Sequence, residues 1–372
     1  QLSETTSQDL FVSEALKRLG PLVHQAKLLA AQYDAVVANP PYMGSSAMNG
    51  LMKKFTQDDF PESKNDLFAC FIERGYTLAK DDGHDAMVTM QSWMFLSSFE
   101  KMRERILRGK TIRTMAHLGA RAFGSIAGEV VQTTATVLKN SPPGNSRPVF
   151  LRLIDGGEEE KRATLAQGNE RFDLATQDDF KKIPGSPVAY WVSPRKRRCF
   201  DEMSAVREVG TFKRGIATGD NDRFIRIWHE VDAQKMVMTS TADPSQRWFK
   251  YNKGGEFRKW FGNLCHVLDW GDEGEALLNF KDEKGKLRSR PQNVEYNFWP
   301  VLTYSSVASS ALSVRLLNDH NINDQAGNFL PNRSMTLLQR LCCFFNSKVA
   351  TGLAHAANPT LNTVVEDLNR LP

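Results

Sequence analysis

The sequence predicts an α/β protein in two parts, a partial sheet with helices between its strands followed by a mixed α/β domain. Two observations carry this. Over the first 140 residues, short valine- and threonine-rich runs alternate with amphipathic stretches, the strand–helix alternation of an α/β sheet. Beyond residue 195 the character changes, and basic and aromatic residues interleave. A chain of 372 residues is long enough for two or three domains, each with its own core.

The elements follow in order. Residues 1–30 read as a loosely amphipathic helix on Leu16, Leu19, Leu22, Val23 and Leu28, broken at Gly20-Pro21. Tyr33 to Ala38 is short, valine-rich and stopped by Pro40-Pro41, which reads as a buried parallel strand entering a loop. Asp66 to Ala79 is a helix: Leu67, Phe68, Phe71, Ile72 and Leu78 recur at helical spacing, and Asp66 suits the first turn. Ala86–Met90, Ile112–Leu118 and Val130–Leu138 read as three more strands, with a charged helix at Phe99–Leu107. Ser141-Pro142-Pro143-Gly144-Asn145 looks like a boundary. Residues 146–194, with the acidic Asp155–Glu160 and a Pro-rich end, read as a connecting segment with little core of its own.

Composition narrows the class. Hydrophobic residues at 41% and charged residues at 24% are ordinary for a globular chain and exclude disorder or low complexity. No apolar run approaches the roughly 18–20 residues needed to span a bilayer, and no signal segment opens the sequence, so no membrane role is expected. Five cysteines without a C-x-x-C pattern argue against a disulfide scaffold or a four-thiolate zinc site and fit a reducing cytoplasm. Seven scattered histidines add no ligand spacing, so no metal is expected. Cys342-Cys343, in an apolar helix-like stretch, reads as core. The net charge of +5 permits a nucleic-acid partner without demanding one. An equal surplus of five basic residues lies between 195 and 290, and six of the seven tryptophans lie beyond residue 190.

The sharpest feature is Asn39-Pro40-Pro41-Tyr42 directly after a strand. From average composition such a tetrapeptide arises by chance in about one chain in a thousand of this length. An exocyclic amine on a base is a poor nucleophile because its lone pair is delocalised into the ring. Acceptors placed on its two hydrogens return density to nitrogen, and the Asn39 side-chain oxygen and the Pro40 carbonyl are suitable. Two prolines fix φ and hold that carbonyl at little entropic cost. Tyr42 offers a face for a base that has left the duplex. The carboxyl end of a parallel strand is where ligands bind in open α/β sheets. The plain alternative is that Pro-Pro merely ends a strand and Tyr42 packs on the surface.

On these residues the chain resembles the amino-methylating DNA methyltransferases that act on adenine N6, in the subgroup whose catalytic motif precedes the target-recognition domain. More narrowly, Asn39-Pro-Pro-Tyr-Met-Gly-Ser45, Ser63-Lys-Asn-Asp-Leu-Phe-Ala69 and Met90-Gln-Ser-Trp-Met-Phe-Leu-Ser97 are similar to the large adenine methyltransferase of BREX-type phage-defence systems. So are Thr218-Gly-Asp-Asn-Asp-Arg-Phe224, Tyr251-Asn-Lys-Gly-Gly-Glu-Phe-Arg-Lys-Trp260, Phe345-Asn-Ser-Lys348 and Asn358-Pro-Thr-Leu-Asn362, so the likeness runs over residues 33–372. It implies a partial Rossmann-like methyltransferase sheet with the Asn-Pro-Pro-Tyr loop in residues 1–145, then a mixed α/β DNA target-recognition domain in residues 195–372. It implies S-adenosylmethionine as cofactor, double-stranded DNA as partner, and other phage-defence proteins as further partners. Asn39, Pro40 and Tyr42 would orient and stack the adenine. Pro41 would border the cofactor, as would the helix from Asp66 through Phe68. Phe123 would pack on the far face of the flipped base, or else simply anchor its loop in the core.

One departure stands out. Members of the family carry a glycine-rich cofactor motif upstream of this loop and an acidic residue that holds the ribose. Only 38 residues precede Asn39, none forms such a motif, and the chain begins with Gln1 rather than Met. The expectation is a fragment of a longer protein, or a relative that has lost cofactor binding. Arg195, Lys196, Arg197, Lys250, Lys253, Arg258 and Lys259 are the DNA-phosphate candidates, and a Gly254-Gly255 turn could add backbone N–H donors. For each aromatic or basic residue alone, the plain reading is a filled core and a solvated face. Two further functions stay open: a non-catalytic DNA-binding or assembly module, and methylation of RNA or of a protein glutamine amide. The basic, tryptophan-rich half favours nucleic acid.

Overall fold

A computed structural model describes residues 10–123, 131–168, 170–237, 246–307, 311–318, 320–360 and 362–372. The chain divides into two units, Gln1–Trp191 and Val192–Pro372.

In the first unit the order is α1 (Leu10–Ala30), β1 (Tyr33–Ala38), α2 (Gly50–Asp59), α3 (Leu67–Leu78), β2 (Ala79–Met90), α4 (Glu100–Gly109), β3 (Thr111–Gly119), β4 (Thr133–Lys139), β5 (Val149–Arg152), α5 (Glu158–Gln167), β6 (Arg171–Phe172) and α6 (Gln177–Lys181). The α/β expectation holds. The strands form one six-stranded sheet in the order β1-β2-β4-β3-β5-β6. β1 runs parallel to β2, and β3 to β5, while β4 is antiparallel to both β2 and β3. The carboxyl ends of β1, β2 and β3 therefore share one edge of the sheet.

Local chemistry accounts for the elements that flank this edge. Asp66 accepts from the Phe68 amide as the cap of α3, and Phe68, Ala69, Ile72 and Tyr76 form its buried stripe. β2 alternates buried Asp85, Met87 and Thr89 with half-exposed neighbours, as a strand covered mainly on one face does. Helix α2, capped by the Asn49 side chain at the Met52 amide, carries little apolar periodicity, which is why the sequence does not announce it.

Several expectations are corrected. β1 is an edge strand, not a fully buried one: Val36 and Ala38 pack on the core, and Val37 is 77% exposed. Pro21 lies inside α1 rather than breaking it; the carbonyl it leaves unpaired belongs to exposed Lys17, where water can take it. Residues 1–9 of that predicted helix, and Val130 of the predicted fourth strand, lie outside the described residues. Residues 146–191 are not a connecting segment. β5 pairs with β3, and the Phe150 ring stacks on Tyr190 at 4.5 Å and 3°. Phe150 and Phe180 are fully buried. The acidic run opens α5, where its carboxylates suit the helix dipole. The Arg103 guanidinium, fully buried, donates to the carbonyls of Trp93, Leu96 and Gly185 and so ties this segment to the turns after β2.

The second unit contains α7 (Pro194–Glu202), α8 (Asn221–Phe224), β7 (Ile225–Ile227), β8 (Trp248–Asn252), β9 (His266–Asp269), α9 (Glu275–Leu278), β10 (Val301–Tyr304), β11 (Val314–Leu317), β12 (Asn321–Asn323), β13 (Phe329–Pro331), α10 (Met335–Phe345), α11 (Lys348–Ala357) and α12 (Val365–Asn369). Its sheets run β12-β8-β9-β7 and β11-β10-β13. The mixed α/β expectation holds here too. Cys342 is buried in α10, but its neighbour Cys343 faces solvent. Among the described residues no helix is long and apolar enough to cross a membrane.

Asp85 makes the first unit's stability depend on pH. It is 2% exposed, and its Oδ1 has no hydrogen-bond partner among the described residues. Only the absence of a side chain on Gly75 leaves room for it, since a Cβ there would lie 2.6 Å from Oδ1. Burial pushes the carboxyl up from 3.8 to about 7. The folded state thus keeps a proton that the unfolded chain releases, so stability is fully present below pH 3.8 and lost as pH rises through 7. Asp85→Asn is expected to abolish that loss, stabilising the chain by on the order of 3 kcal/mol at pH 8 and little at pH 4. Urea unfolding at both pH values checks this; equal midpoints for the variant and the natural chain at pH 8 would refute it.

Candidate active site and nucleic-acid surfaces

The Asn39–Tyr42 loop leaves the carboxyl end of β1, as the sequence requires. Asn39 and Pro41 are exposed, Pro40 is buried, and Tyr42 is half-buried. The Tyr42 ring stands edge-on to Phe68 at 6.2 Å, and its hydroxyl reaches the Val88 carbonyl of β2 at 3.4 Å. Burial raises the phenol's pKa, so Tyr42 is neutral near pH 7.

Asp66 pins the loop. Its Oδ1 accepts from the Met43 amide at 3.0 Å and from the Phe68 amide at 3.4 Å, so one carboxylate caps α3 and holds the residue after Tyr42. The Leu67 amide returns a bond to the Met43 carbonyl at 3.0 Å, and the Ser45 amide bonds Asn65 at 2.9 Å. Burial raises the Asp66 carboxyl, opposed by the backbone N–H groups of Met43, Phe68 and Leu67.

A second constellation lies on the same edge, and sequence reasoning missed it. His117, near the end of β3, is 6% exposed. Its Nδ1 lies 3.0 Å from the Tyr190 hydroxyl and its Nε2 2.6 Å from Gln91 Oε1. Gln91 follows β2, and its amide Nε2 donates to Gln132 Oε1, just before β4. Burial, with Arg152 and Lys161 nearby, pushes His117 down to about 4, so the ring is neutral. The amide order then assigns the protons: Tyr190 donates to Nδ1, Nε2–H donates to Gln91, and Gln91 donates to Gln132. The exposed Gln132 amide is left with its NH2 free to donate outward. Four residues widely separated in sequence come together here, and no local spacing signals it.

The residues expected to border a cofactor fare unevenly. Pro41 presents surface. Phe68 is corrected: it is fully buried on the core stripe of α3 and has no face to offer a ligand. Asp66 spends Oδ1 on two backbone amides. The residues present fit one wall of an S-adenosylmethionine site, with no glycine turn and no ribose-holding acid among them. Phe123 is half-buried in the segment after β3.

Burial also sorts the basic candidates of the second unit. Arg195, Lys196 and Arg258 are exposed, and Lys250 and Lys253 are half-buried. Arg197 is corrected: at 4% exposure it lies on the inner face of α7 and cannot meet a phosphate at the surface. Lys259 is half-buried, and its ammonium donates to the Asn346 carbonyl at 2.7 Å, at the end of α10. Gly254 and Gly255 both have positive φ, as the expected tight turn requires. Trp270 is core, whereas Phe257, Trp260 and Phe261 are 49, 53 and 68% exposed. Of the motif at residues 358–362, Leu361 lies outside the described residues. Among the described residues no group of three or more His, Cys, Asp and Glu is placed to hold a metal ion.

The first unit is thus a mixed sheet with an Asn-Pro-Pro-Tyr loop at the carboxyl end of its edge strand, and a mixed α/β unit follows it in sequence. Residues 6–123 match the family described as Eco57I restriction-modification methylase. The chain is homologous to the adenine-specific methyltransferase BrxX of Escherichia coli O9:H4 (strain HS), 41% identical over 98% of this chain and 30% of that protein. It is likewise homologous to the adenine-specific methyltransferase PglX of Lacticaseibacillus casei (strain Zhang), 39% identical over 94% of this chain and 30% of that protein. The chain thus spans about 30% of the length of these curated relatives. Among solved structures, the type IIL restriction-modification enzyme MmeI in complex with DNA is similar in fold, with a TM-score of 0.54 at 13% identity over 87% of this chain and 43% of that one.

Two outcomes test this geometry. Asp66→Ala removes both the helix cap and the loop tether and is expected to cost about 1–2 kcal/mol, whereas Asp66→Asn, which keeps an acceptor, costs less than half of that. Denaturant midpoints of the two variants check the order; an Ala variant as stable as the natural chain rules out the tether. His117 contributes stability that is full above pH 6.5 and falls as pH drops toward 4, because the unfolded ring takes a proton that the folded ring refuses. His117→Gln should flatten this acid-side slope, worth on the order of 3 kcal/mol; a slope retained in the variant contradicts it.

Proposed function

We propose that this chain is the base-binding and DNA-recognition portion of an adenine-specific DNA methyltransferase. The complete enzyme transfers a methyl group to N6 of an adenine flipped out of double-stranded DNA, in restriction-modification or phage defence. The observation that carries the reading is the Asn39-Pro40-Pro41-Tyr42 loop at the carboxyl end of β1, held from behind by Asp66. S-adenosylmethionine, when bound in the complete polypeptide, supplies an electrophilic methyl group.

The chain's own residues do the rest by positioning. Asn39 Oδ1 and the Pro40 carbonyl accept the two amine hydrogens, which localises the lone pair toward the incoming methyl group. Tyr42, whose ring is wedged by Phe68 and whose hydroxyl is fixed at Val88, presents a face to the base. Phe123 closes on the opposite face. The acceptor nitrogen needs no covalent intermediate, and no cysteine lies in the loop. Pro41 borders the cofactor. Arg195, Lys196, Lys250, Lys253 and Arg258 meet DNA phosphates. Five cysteines that form no disulfide and a DNA substrate support a cytoplasmic location, with other phage-defence proteins as the partners proposed.

The test uses the complete polypeptide with a radiolabelled methyl donor. Asn39→Ala is expected to lower methyl transfer to duplex DNA by at least about a thousandfold, since positioning is nearly the whole of the catalysis. DNA affinity should change less than threefold. Full activity in the variant, or equal methylation of adenine-free DNA, would sink the assignment. Calorimetric titration of this chain with S-adenosylmethionine separates a formed cofactor site, seen as micromolar binding, from the single wall described above.

A further inference from the structure

The second unit holds a cleft of about 580 Å³ that adenine chemistry does not use, lined by the Thr218–Asn221 turn, Lys253, Arg288, Arg290 and Asp324. Its wall is a short hairpin joined to that turn. Lys281 bridges Leu287 in antiparallel fashion, and the Arg290 and Ala217 backbones exchange both hydrogen bonds, at 2.8 and 3.1 Å. Residues 288–290 are thus locally extended. Ser289 points inward at 1% exposure, while Arg288 and Arg290 are exposed on the other face, two residues apart. Gly219 allows the hairpin to sit this close: it has φ of +75°, and a Cβ there would lie 2.6 Å from the Arg288 carbonyl.

Three cations and two acids line the cleft, and both acids also serve the fold. Asp324 is 6% exposed and accepts from the Ala326 amide at 2.6 Å and the Tyr251 hydroxyl at 2.7 Å. Asp220 caps α8 by accepting from the Arg223 amide at 3.1 Å. In contrast, Lys253, Arg288 and Arg290 make no ion pair among the described residues. Arg288 is steadied by the Phe280 ring, 5.1 Å from its guanidinium carbon. Three cations against two carboxylates leave this concave surface net positive, and two of the cations are forks suited to a tetrahedral oxyanion.

We infer that this cleft clamps the phosphodiester backbone of the target DNA, with Arg288 and Arg290 each engaging a phosphate and Lys253 supporting them from the cleft wall. The inference rests on DNA being the substrate, and adds Arg288 and Arg290, which carry no sequence signal beyond their charge, to the contact surface.

Binding of a fluorescent duplex to this chain, followed by anisotropy from 50 to 300 mM salt, tests it. Arg288→Gln/Arg290→Gln is expected to lower affinity at least about tenfold and to reduce the slope of log K against log salt by about 2. Lys284→Gln/Lys286→Gln removes the same charge from the tip of the same hairpin, outside the cleft, and is expected to change the slope by less than about 0.5. Circular dichroism and thermal unfolding establish that each variant is folded; should the double variant fail to fold, Arg290→Gln alone is expected to reduce the slope by about 1. Equal slopes for the cleft variant and the natural chain, or an equal loss in the tip variant, overturn the clamp. So does tight binding of ATP that Arg290→Gln abolishes while leaving DNA affinity intact, since the site would then belong to a free nucleotide. If the natural chain shows no salt-dependent DNA binding at all, the DNA reading itself fails, which is a different result.

Discussion

The candidate active site depends on one carboxylate. Asp66 joins a loop that prolines make stiff to a helix whose first amides need an acceptor, and a single oxygen serves both. Without it, the loop would keep its local stiffness and the backbone bonds of Met43 and Ser45, but would lose the side-chain tether at the residue after Tyr42. The helix it caps also delivers Phe68, the edge on which Tyr42 rests. Loop position, ring orientation and helix start are thus one coupled arrangement, and a base entering it meets groups already oriented. That is the condition under which two hydrogen-bond acceptors can bias a weak amine nucleophile.

Some of the chain's positive charge lies inside the fold, at Arg103, Lys161, Arg197 and Arg315. Arg103 gathers three carbonyls, Lys161 donates to Leu118 and Leu153, and Lys259 seals the end of α10. Arg315 is fully buried, and burial draws it down to about 10. Such groups carry a desolvation cost that surface groups do not, and they cannot neutralise a phosphate. The exposed basic surface is accordingly smaller than the composition suggests: in the second unit Arg288 and Arg290 face solvent, whereas Arg197 does not.

The two buried ionisable groups of the first unit act in opposite directions. Asp85 is held protonated between α3 and β2, and His117 is held neutral at the sheet's carboxyl edge. Each is set mainly by desolvation, yet their surroundings differ. His117 has partners on both ring nitrogens and so orders a chain of donors ending at Gln132, whereas Asp85 has an oxygen with no partner. The first arrangement rigidifies the edge that also carries the Asn39–Tyr42 loop; the second only costs stability.

What the sequence by itself determined is local. Proline restricts φ whatever surrounds it, an aspartate before an apolar periodic run caps a helix, and a short valine run stopped by Pro-Pro ends a strand. The Asn39–Tyr42 loop, α3 and the order of the first four strands were legible for that reason. Tertiary structure decided what depends on distant partners. β5 pairs with β3 across more than thirty residues, so residues 146–191 proved to be sheet and core although their proline-rich, acidic composition suggested a connection. His117 meets Gln91, Gln132 and Tyr190 only because β2, β3 and β4 lie side by side. Whether a lysine or arginine faces solvent, a carbonyl or the core is set by packing, and a charge in a sequence does not specify its neighbours in space.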